Sequence, residues 1–232
     1  MRRTIFGLAK VVVFVSAVIL GCSDVGVEVV KVLPEPPVDS LPARPKRVEP
    51  PKQPTKVAKK TQGTWRGAAE PGWIPPGGIS SRWEYIVVHH SATGTGSASE
   101  FHHAHQNRGW DELGYHFVIG NGSGSGDGRV EVGSRWYKQK HGAHCKTAGN
   151  YHNEHGIGVC LVGNFERSYP SHRQMASLQK LVRFLMARCR IPAGRVIGHC
   201  EAPGAATRCP GRHLNTAQLR ATLRNYAVAS DF

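Results

Sequence analysis

Short apolar runs separated by glycine, proline and polar residues recur along most of this chain. The run from Tyr85 to His90 is rich in β-branched residues and predicts a strand, whose side chains alternate between two faces. Val87 and His89 then share one face, and Val88 and His90 share the other. The two neighbouring histidines therefore cannot point into the same site.

Four further segments show the apolar pattern of short strands: residues 114–119, 129–132, 156–162 and 195–198. A glycine-rich loop that closes on Asp127 and Gly128 joins the first two, which predicts a hairpin. The loop lacks the Lys-Ser/Thr ending of a phosphate-binding loop, so its glycines indicate a turn. The last of these strands delivers His199 at its end.

Three helices are predicted between and after these strands. Ser97 or Ser99 caps the first. The second begins at Ser171, where Gln174 completes a capping box, and its apolar residues recur at helical spacing: Met175, Leu178, Leu181, Val182 and Leu185. The third covers residues 216–228. Strands that alternate with helices predict an α/β fold, a single domain with a central mixed sheet flanked by about three helices.

The N-terminus has a different pattern, a basic start followed by an apolar run from Val11 to Leu20. This run predicts a secretory signal and is too short to span a bilayer comfortably. It ends in Ile-Leu-Gly-Cys, which resembles the bacterial lipoprotein processing box, so we expect residues 1–21 to be removed and a lipid on Cys22 to hold the protein at a membrane. The alternatives are an ordinary cleaved signal with an incidental cysteine and an uncleaved anchor. Ser23 favours the outer membrane of a Gram-negative cell, and hence the periplasm.

A proline-rich stretch follows the predicted signal. Eleven of the 15 prolines lie between residues 31 and 76, interleaved with lysine and arginine. Because proline removes amide donors and apolar residues are scarce here, this stretch cannot build a core. We expect residues 22–76 to form a disordered tether that reaches on the order of 100 Å. Residues 77–232 then form the globular domain.

The predicted domain is basic. From Gly77 onward the chain has 18 Lys or Arg and 10 Asp or Glu, a balance of +8. A basic surface suits an anionic polymer such as cell-wall glycan, acidic lipid or nucleic acid. Export makes nucleic acid the least suitable of the three, and no nucleic-acid partner is expected.

The candidate chemistry lies in three separated residues, His89, His199 and Cys209. Two imidazoles and a thiolate are good zinc ligands, and three protein ligands leave a fourth tetrahedral position for water, as in catalytic sites. His89 and His199 each end a predicted strand, where the sheet fixes their direction. Cys209 follows His199 in a loop rich in proline and glycine that can fold back. No compact zinc-finger or helical His-Glu-x-x-His pattern is present in the sequence.

Several motifs in order along the chain resemble one family. They are Tyr-Ile-Val-Val-His-His-Ser-Ala-Thr, Gly-Trp-Asp-Glu-Leu-Gly-Tyr-His-Phe, Gly-Ile-Gly-Val-Cys-Leu-Val-Gly-Asn-Phe, Gly-His-Cys-Glu-Ala-Pro and Thr-Arg-Cys-Pro-Gly. Together they resemble the zinc N-acetylmuramoyl-L-alanine amidases, which include phage lysozyme-type amidases and animal peptidoglycan recognition proteins. The resemblance runs from about Trp83 to Gly211. It implies a peptidoglycan recognition protein-like fold that holds one Zn²⁺ per domain.

The resemblance also implies roles for individual residues. His89, His199 and Cys209 match the zinc ligands. Tyr115 matches the catalytic hydroxyl. Thr207 occupies a position that is lysine in phage members and threonine in catalytic animal members, so a neutral hydroxyl would assist Tyr115 in stabilising the oxyanion or the attacking water.

Other histidines, tryptophans and cysteines receive more ordinary interpretations. His144 falls where family members have a histidine close to the site, and we assign it a substrate-binding role. Clustered histidines on the first helix are expected on the solvated surface: His102, His103 and His105. Packing is expected for four further side chains: His90, His116, Trp110 and Trp136. The remaining cysteines could pair in three ways or stay as free thiols: Cys145, Cys160, Cys189 and Cys200.

The function predicted from the sequence is a lipid-anchored zinc hydrolase that cleaves the amide bond between N-acetylmuramic acid and L-alanine in peptidoglycan stem peptides. Its partners would be peptidoglycan or muropeptides, and a membrane through the N-terminal lipid. One alternative is a peptidoglycan-binding module of the same fold that does not cleave. Another is a cysteine peptidase that uses Cys209, which the order of the residues disfavours. The sequence leaves open whether intact wall or anhydro-muropeptides are the substrate.

Overall fold

The computed structural model describes Glu70 and residues 72–229. The predicted signal segment, Cys22 and most of the proline-rich tether lie outside these residues, so the domain boundaries at 21 and 76 stay predictions. Within the part of the chain that the structure describes, no helix is both long and apolar enough to cross a membrane.

Five strands form one mixed sheet in the order β3-β2-β4-β1-β5. They are β1 at Tyr85–His90, β2 at Phe117–Ile119, β3 at Val130–Val132, β4 at Gly156–Leu161 and β5 at Val196–Gly198. The central strand pairs are parallel, β1 with β4, β1 with β5 and β2 with β4. The edge pair β2 and β3 is antiparallel, as the hairpin pattern predicts. The predicted mixed sheet is therefore confirmed.

Five α-helices surround this sheet in the described residues. They are α1 at Ala98–Gln106, α2 at Ser134–Tyr137, α3 at Tyr151–Glu154, α4 at His172–Cys189 and α5 at Thr216–Ala229. The longer helices α1, α4 and α5 are the three that the sequence predicts, whereas α2 and α3 are single turns. The Ser97 side chain caps α1, and Ser171 and Gln174 form the predicted capping box of α4.

The strand predicted to begin at residue 114 begins only at Phe117. The Gly114 amide donates to Nδ1 of His105 at 3.0 Å, and its carbonyl accepts from the Ala143 amide at 3.0 Å. Because both backbone groups are already bonded outside the sheet, Gly114 belongs to a loop. Tyr115 lies in this loop, two residues before β2 begins.

One face of the sheet, here called the helix face, packs against α4 and α5. Ile86, Val88 and Val159 point to it from the central strands. Helix α4 contributes five fully buried residues to the same cluster: Leu178, Leu181, Val182, Phe184 and Leu185. The predicted apolar stripe of α4 is thus the stripe that covers the sheet, and its burial supplies much of the hydrophobic stabilisation.

The opposite face, here called the site face, carries the alternate residues of the same strands. Val87 on β1 packs in a small cluster with Cys145 and Ala202. Val118 and Cys160 form another with residues of α1. The predicted alternation along β1 is confirmed.

His105 is buried, contrary to the sequence prediction of a solvated surface for the histidines of α1, and His102 is only partly exposed. Nδ1 of His102 accepts a hydrogen bond from the Leu113 amide at 3.1 Å, and Nδ1 of His105 accepts from Gly114. His103 alone of the cluster is exposed. The imidazole nitrogens of His102 and His105 thus accept hydrogen bonds from backbone amides of the loop before Tyr115. The hydrophobic periodicity of the sequence cannot reveal such bonds.

The predictions for the other aromatic residues are confirmed except at one position. Trp136 and His116 are fully buried, and His90 is nearly so. Trp110 is 40% exposed, which contradicts its predicted packing role. Its ring lies only 4.5 Å from that of His105, so one side is covered while the other faces solvent.

Candidate metal centre

The side chains of His89, His199 and Cys209 meet at one edge of the sheet. Their ligand atoms all lie within 4.8 Å of one another. Nδ1 of His89 is 3.6 Å from Sγ of Cys209, and the rings of His89 and His199 are 4.7 Å apart between centroids. The three residues that the sequence proposes as ligands are therefore brought together.

Strand order explains why the two histidines are neighbours. His89 lies near the end of β1 and points to the site face. His199 comes directly after β5, which runs parallel to β1 with Val88 opposite Gly198. Because parallel strands end at the same edge of a sheet, residues that follow them lie side by side. His89 is buried, while His199 is partly exposed toward solvent.

Cys209 returns to this edge through backbone contacts. The Cys200 amide donates to the Cys209 carbonyl at 2.7 Å, and the His90 amide donates to Sγ of Cys209 at 3.4 Å. A Cβ on Gly198 would come within 2.7 Å of the Pro210 ring, so only glycine permits this close approach. The loop between His199 and Cys209 is thereby folded back onto the end of β5.

Glu201 holds the turn that carries His199. Its carboxylate accepts from the Gly198 amide at 2.7 Å, from the Thr216 hydroxyl at 2.9 Å and from both terminal nitrogens of Arg220 at 2.8 and 2.9 Å. Burial acts to raise the pKa of Glu201, but the hydrogen bonds, above all that of Arg220, hold the pKa below its usual value. The carboxylate therefore stays ionised and ties the turn to α5. Sequence reasoning missed this role, although Glu201 stands in the quoted Gly-His-Cys-Glu motif.

Burial governs the protonation states of the proposed ligands. Burial, with smaller contributions from His144 and His199, holds the pKa of His89 well below its ordinary value. The imidazole is then neutral and offers a lone pair. Burial raises the pKa of the Cys209 thiol to about 12, so this thiol keeps its proton near neutral pH. A metal that binds the thiolate must therefore displace a proton.

The donor set fits a zinc ion. Zinc prefers imidazole and thiolate ligands, and a tetrahedral ion with bonds of about 2.1 Å to nitrogen and about 2.3 Å to sulfur separates these two atoms by about 3.6 Å. The Nδ1 of His89 and the Sγ of Cys209 stand at this separation, 3.6 Å. Three protein donors leave one tetrahedral position for another ligand, which is the arrangement of a catalytic rather than a structural site.

Tyr115 lies beside the proposed ligands. Its ring centroid is 5.2 Å from that of His89. Burial, and then the neighbouring thiols of Cys160 and Cys209, raise the pKa of the Tyr115 hydroxyl well above its ordinary value. The hydroxyl therefore keeps its proton and remains a hydrogen-bond donor near neutral pH.

Thr207 lies on the solvent side of the same site. Its Oγ1 accepts a hydrogen bond from the Cys209 amide at 3.1 Å, which leaves the hydroxyl proton available for donation. Thr207 and His199 line an open groove together with Lys146 and Thr147.

His144 lies behind His89 and not in the groove. It is 8% exposed, and both ring nitrogens are engaged, Nδ1 with Nε2 of His89 at 3.1 Å and Nε2 with the Gly156 carbonyl at 3.1 Å. Burial, followed by His116, holds the pKa of His144 well below its ordinary value, so the ring is neutral. The geometry leaves no free ring nitrogen for the substrate-binding role that the sequence suggests.

The cysteines other than Cys209 form no disulfide in the described residues. Cys145, Cys160, Cys189 and Cys200 are all free thiols, as is Cys209. Burial raises the pKa of Cys145 to about 11 and that of Cys189 to about 12, so both are unreactive thiols near neutral pH. Of the two states that the sequence leaves open, the structure has the reduced one.

Comparison with known proteins places these residues in a family context. The sequence profile of the N-acetylmuramoyl-L-alanine amidase family matches residues 80–212. A peptidoglycan-recognition protein of Drosophila simulans is 32% identical over 111 residues, which cover 47% of this chain and 54% of that protein. An N-acetylmuramoyl-L-alanine amidase of Sus scrofa is 30% identical over 169 residues, which cover 65% of this chain and 24% of that protein. The chain thus spans about half or less of the length of these relatives.

A solved structure matches the fold over most of the described residues. The N-acetylmuramoyl-L-alanine amidase LysC from Clostridium intestinale superposes with a TM-score of 0.53 at 27% identity. The match covers 67% of this chain and 95% of the other. The mixed sheet and the helices around it therefore have the fold that the sequence motifs predict.

Proposed function

The chain belongs to the N-acetylmuramoyl-L-alanine amidase family, and from this premise we propose that it is a zinc hydrolase. Its proposed reaction is cleavage of the amide bond between N-acetylmuramic acid and L-alanine in peptidoglycan stem peptides. The observation that carries the proposal is the complete donor set of His89, His199 and Cys209 within 4.8 Å. Family membership alone does not choose between cleavage and recognition, since relatives are named for both.

The protein residues have separate tasks in this proposal. His89, His199 and Cys209 would hold the ion, and His199 faces the groove through which a stem peptide can enter. When bound, zinc would polarise the amide carbonyl and lower the pKa of water toward neutrality. The folded strands β1 and β5 hold the two imidazoles in place before substrate arrives, which favours catalysis because no reorganisation is then needed.

In this proposal Tyr115, whose ring centroid is 5.2 Å from that of His89, and Thr207, which lines the groove with His199, supply hydrogen-bond donors. The buried Tyr115 hydroxyl keeps its proton because its pKa is raised. The Thr207 hydroxyl has its oxygen occupied by the Cys209 amide, so its proton points elsewhere. Both can donate to the oxygen that gains negative charge when water adds to the carbonyl. Neither donor is an ammonium, so the stabilisation comes from oriented neutral hydroxyls.

Two other functions fit the residues less well. A non-catalytic peptidoglycan-binding module would not need the full ligand set and the partly buried tyrosine beside it. A cysteine peptidase needs a thiolate nucleophile, and burial raises the pKa of the Cys209 thiol to about 12. The same thiol bonded to the His90 amide is well placed as a ligand and poorly placed as an exposed nucleophile.

One experiment distinguishes these functions. The purified protein is incubated with peptidoglycan, with and without a zinc chelator, and the new chain ends are identified. We expect stem peptides with a free L-alanine amine, and no release after chelation. Release that resists chelation but stops on thiol alkylation would indicate the peptidase, and binding without release would indicate the recognition module.

A Tyr115→Phe variant tests the hydroxyl within the same assay. We expect kcat to fall by about 10²- to 10³-fold with the zinc content unchanged, because one oxyanion donor is lost. Tyr169→Phe is the matched control, since Tyr169 is 75% exposed and contacts His213 rather than the ligands. Equal activity of Tyr115→Phe and wild type would remove Tyr115 from the mechanism.

The membrane anchor is a further part of the proposal and is supported by the sequence alone. We propose that Cys22 carries lipid and that residues 22–76 tether the enzyme in the periplasm, at the outer membrane. Labelling cells with a fatty-acid analogue tests this directly. The label should enter the wild-type protein and be absent from Cys22→Ser, and equal labelling of both would refute the anchor.

A further inference from the structure

A chain of two hydrogen bonds runs behind the proposed metal centre. The Gly156 carbonyl can only accept, so Nε2 of His144, 3.1 Å away, must carry a proton. In a neutral His144 the other nitrogen, Nδ1, is then an acceptor. It lies 3.1 Å from Nε2 of His89, which must therefore be the donor. The remaining nitrogen of His89, Nδ1, is left without a proton and lies 3.6 Å from Sγ of Cys209.

Electrostatics also determines which atoms donate and which accept in these two hydrogen bonds. If His144 carried a second proton, a buried cation would stand directly behind a residue that has to bind another cation. Burial in a medium of low dielectric constant disfavours such an arrangement. The neutral form of both rings is the form that hydrogen-bonds without placing charge in the interior.

The His144 ring occupies a slot that is made by two glycines. A Cβ on Gly142 or on Gly158 would lie 2.3 Å from a carbon of this ring. Neither glycine has a positive φ, so the requirement at both positions is space rather than backbone conformation. Any larger residue at Gly142 or Gly158 would push His144 away from His89. The two glycines therefore hold the His144 ring in one position, in contact with His89.

The backbone of His144 is fixed independently of its ring. The side-chain oxygen of Asn153 accepts from the amides of His144 and Cys145 at 2.7 and 2.8 Å. Its amide nitrogen donates to the side chain of Asn150 at 2.7 Å. Asn153 is itself buried. The main chain at His144 is thus held on one side by Asn153, while its ring is held by the Gly156 carbonyl.

We propose that His144 is a positioning residue that sets the tautomer of His89, so that Nδ1 of His89 presents a lone pair to the metal. His144 acts through His89 and touches neither substrate nor metal. The inference rests on the proposed metal site, but it concerns the choice of ligand atom and not the reaction. Metal-bound histidines commonly depend on such a partner, whose removal weakens metal affinity by about 10- to 100-fold.

The first test uses the metal-free wild-type protein and needs no variant. The nitrogen chemical shifts and long-range couplings of a ¹⁵N-labelled imidazole reveal which nitrogen carries the proton. We expect His89 and His144 to be protonated at Nε2 only. A proton on Nδ1 of His89 would overturn the proposal.

The second test compares zinc affinity among variants by competition with a chromophoric chelator. His144→Leu removes the acceptor, and we expect its zinc affinity to fall by about 10- to 100-fold. His144→Gln keeps an oxygen that can accept from His89 and a nitrogen that can donate to Gly156, so its affinity should recover to within a few-fold of wild type. Wild-type affinity in His144→Leu, or equal loss in both variants, would refute the positioning role.

A matched control separates this role from a general effect of losing a buried histidine. His105→Leu also removes a buried imidazole that accepts from a backbone amide, but His105 contacts no proposed ligand in its hydrogen bonding. We expect its zinc affinity to stay at the wild-type value. The ¹⁵N shifts and the zinc affinities do not depend on substrate. If the protein failed to cleave peptidoglycan, the proposed function would be refuted, but the role of His144 would still be tested by these two measurements.

Discussion

The two faces of the central sheet use the same strands for opposite purposes. On the helix face, Ile86 and Val88 of β1 pack beneath α4 and α5 in a purely apolar cluster. On the site face, Val87 and His89 of the same strand lie among imidazoles, thiols and a tyrosine. One face stabilises the fold through buried area, and the other uses that stability to hold polar groups in fixed positions. A strand that alternates between them can separate the two tasks residue by residue.

His89 and His90 show this separation most directly. His89 faces the proposed ligands and His144. His90 faces the other way, and its Nδ1 accepts from the Phe165 amide at 3.0 Å. The same residue type is a proposed ligand at one position and a partner for the backbone at the next. The site face should therefore respond to mutation in metal binding and activity, and the helix face in stability.

The largest contrast is expected from alanine substitutions at these two neighbours. His89→Ala should lose bound zinc and at least about a thousandfold in activity, because several kcal/mol of transition-state stabilisation depend on the ion. His90→Ala should keep its zinc and lose about 1–3 kcal/mol of unfolding free energy, since the Phe165 amide is left without a partner. Metal analysis, kinetics and denaturant unfolding of both variants measure the contrast. Loss of zinc in both would contradict the division between faces.

A cavity on the helix face should lower stability without changing zinc binding or activity. Leu181 on α4 is fully buried in the apolar cluster, so Leu181→Ala should lower the unfolding free energy by about 2–5 kcal/mol. Below the melting temperature, zinc affinity and kcat should equal those of wild type. Equilibrium unfolding and a zinc titration on the same sample test this. A zinc affinity that fell together with stability would show that the two faces are coupled.

Acid should destabilise the folded domain through the buried His116, which lies between the two faces against Trp83, Trp136 and His144. Burial lowers the pKa of His116 to about 3. Between pH 6.5 and about 3 the unfolded chain binds this proton and the folded chain does not, so the contribution of His116 to stability is lost as the pH falls and is constant above that window. Each such group contributes about 1.4 kcal/mol per pH unit.

His116→Gln tests the acid effect in metal-free protein. Glutamine can still accept from the Gly158 amide and donate to the Lys140 carbonyl, as His116 does. We expect the loss of unfolding free energy between pH 7 and pH 5 to become smaller by about one proton's contribution. An unchanged pH dependence would mean that other groups, and not His116, set the acid stability.

Local pattern predicted much of the fold and the choice between adjacent residues. Alternation along β1 identified His89 and His90 as residues on opposite faces, and the capping box placed the start of α4 at Ser171. His89, His199 and Cys209 were proposed as a set from their ligand chemistry and the family resemblance, but their meeting depends on strand order, which no local sequence pattern predicts. Prediction was therefore strongest where sequence neighbours determine the outcome.

The polar contacts between distant segments escaped sequence reasoning. His102 and His105 bind amides of the loop before Tyr115, although a helix of polar residues is typical of a solvated surface. His144 contacts His89 because Gly142 and Gly158 lack side chains, and an absent side chain leaves no signal of what fills its space. The first case depends on backbone amides, which are the same at every residue and so carry no sequence information.

The brace between Glu201 and α5 has a consequence for anyone who wishes to transplant the catalytic unit. The family profile ends at residue 212, yet the carboxylate that secures the His199 turn is held by Thr216 and Arg220. A fragment trimmed at the profile boundary would keep every proposed ligand and lose the support of one of them. The functional module therefore includes α5, and fusions or chimaeras should be joined beyond that helix.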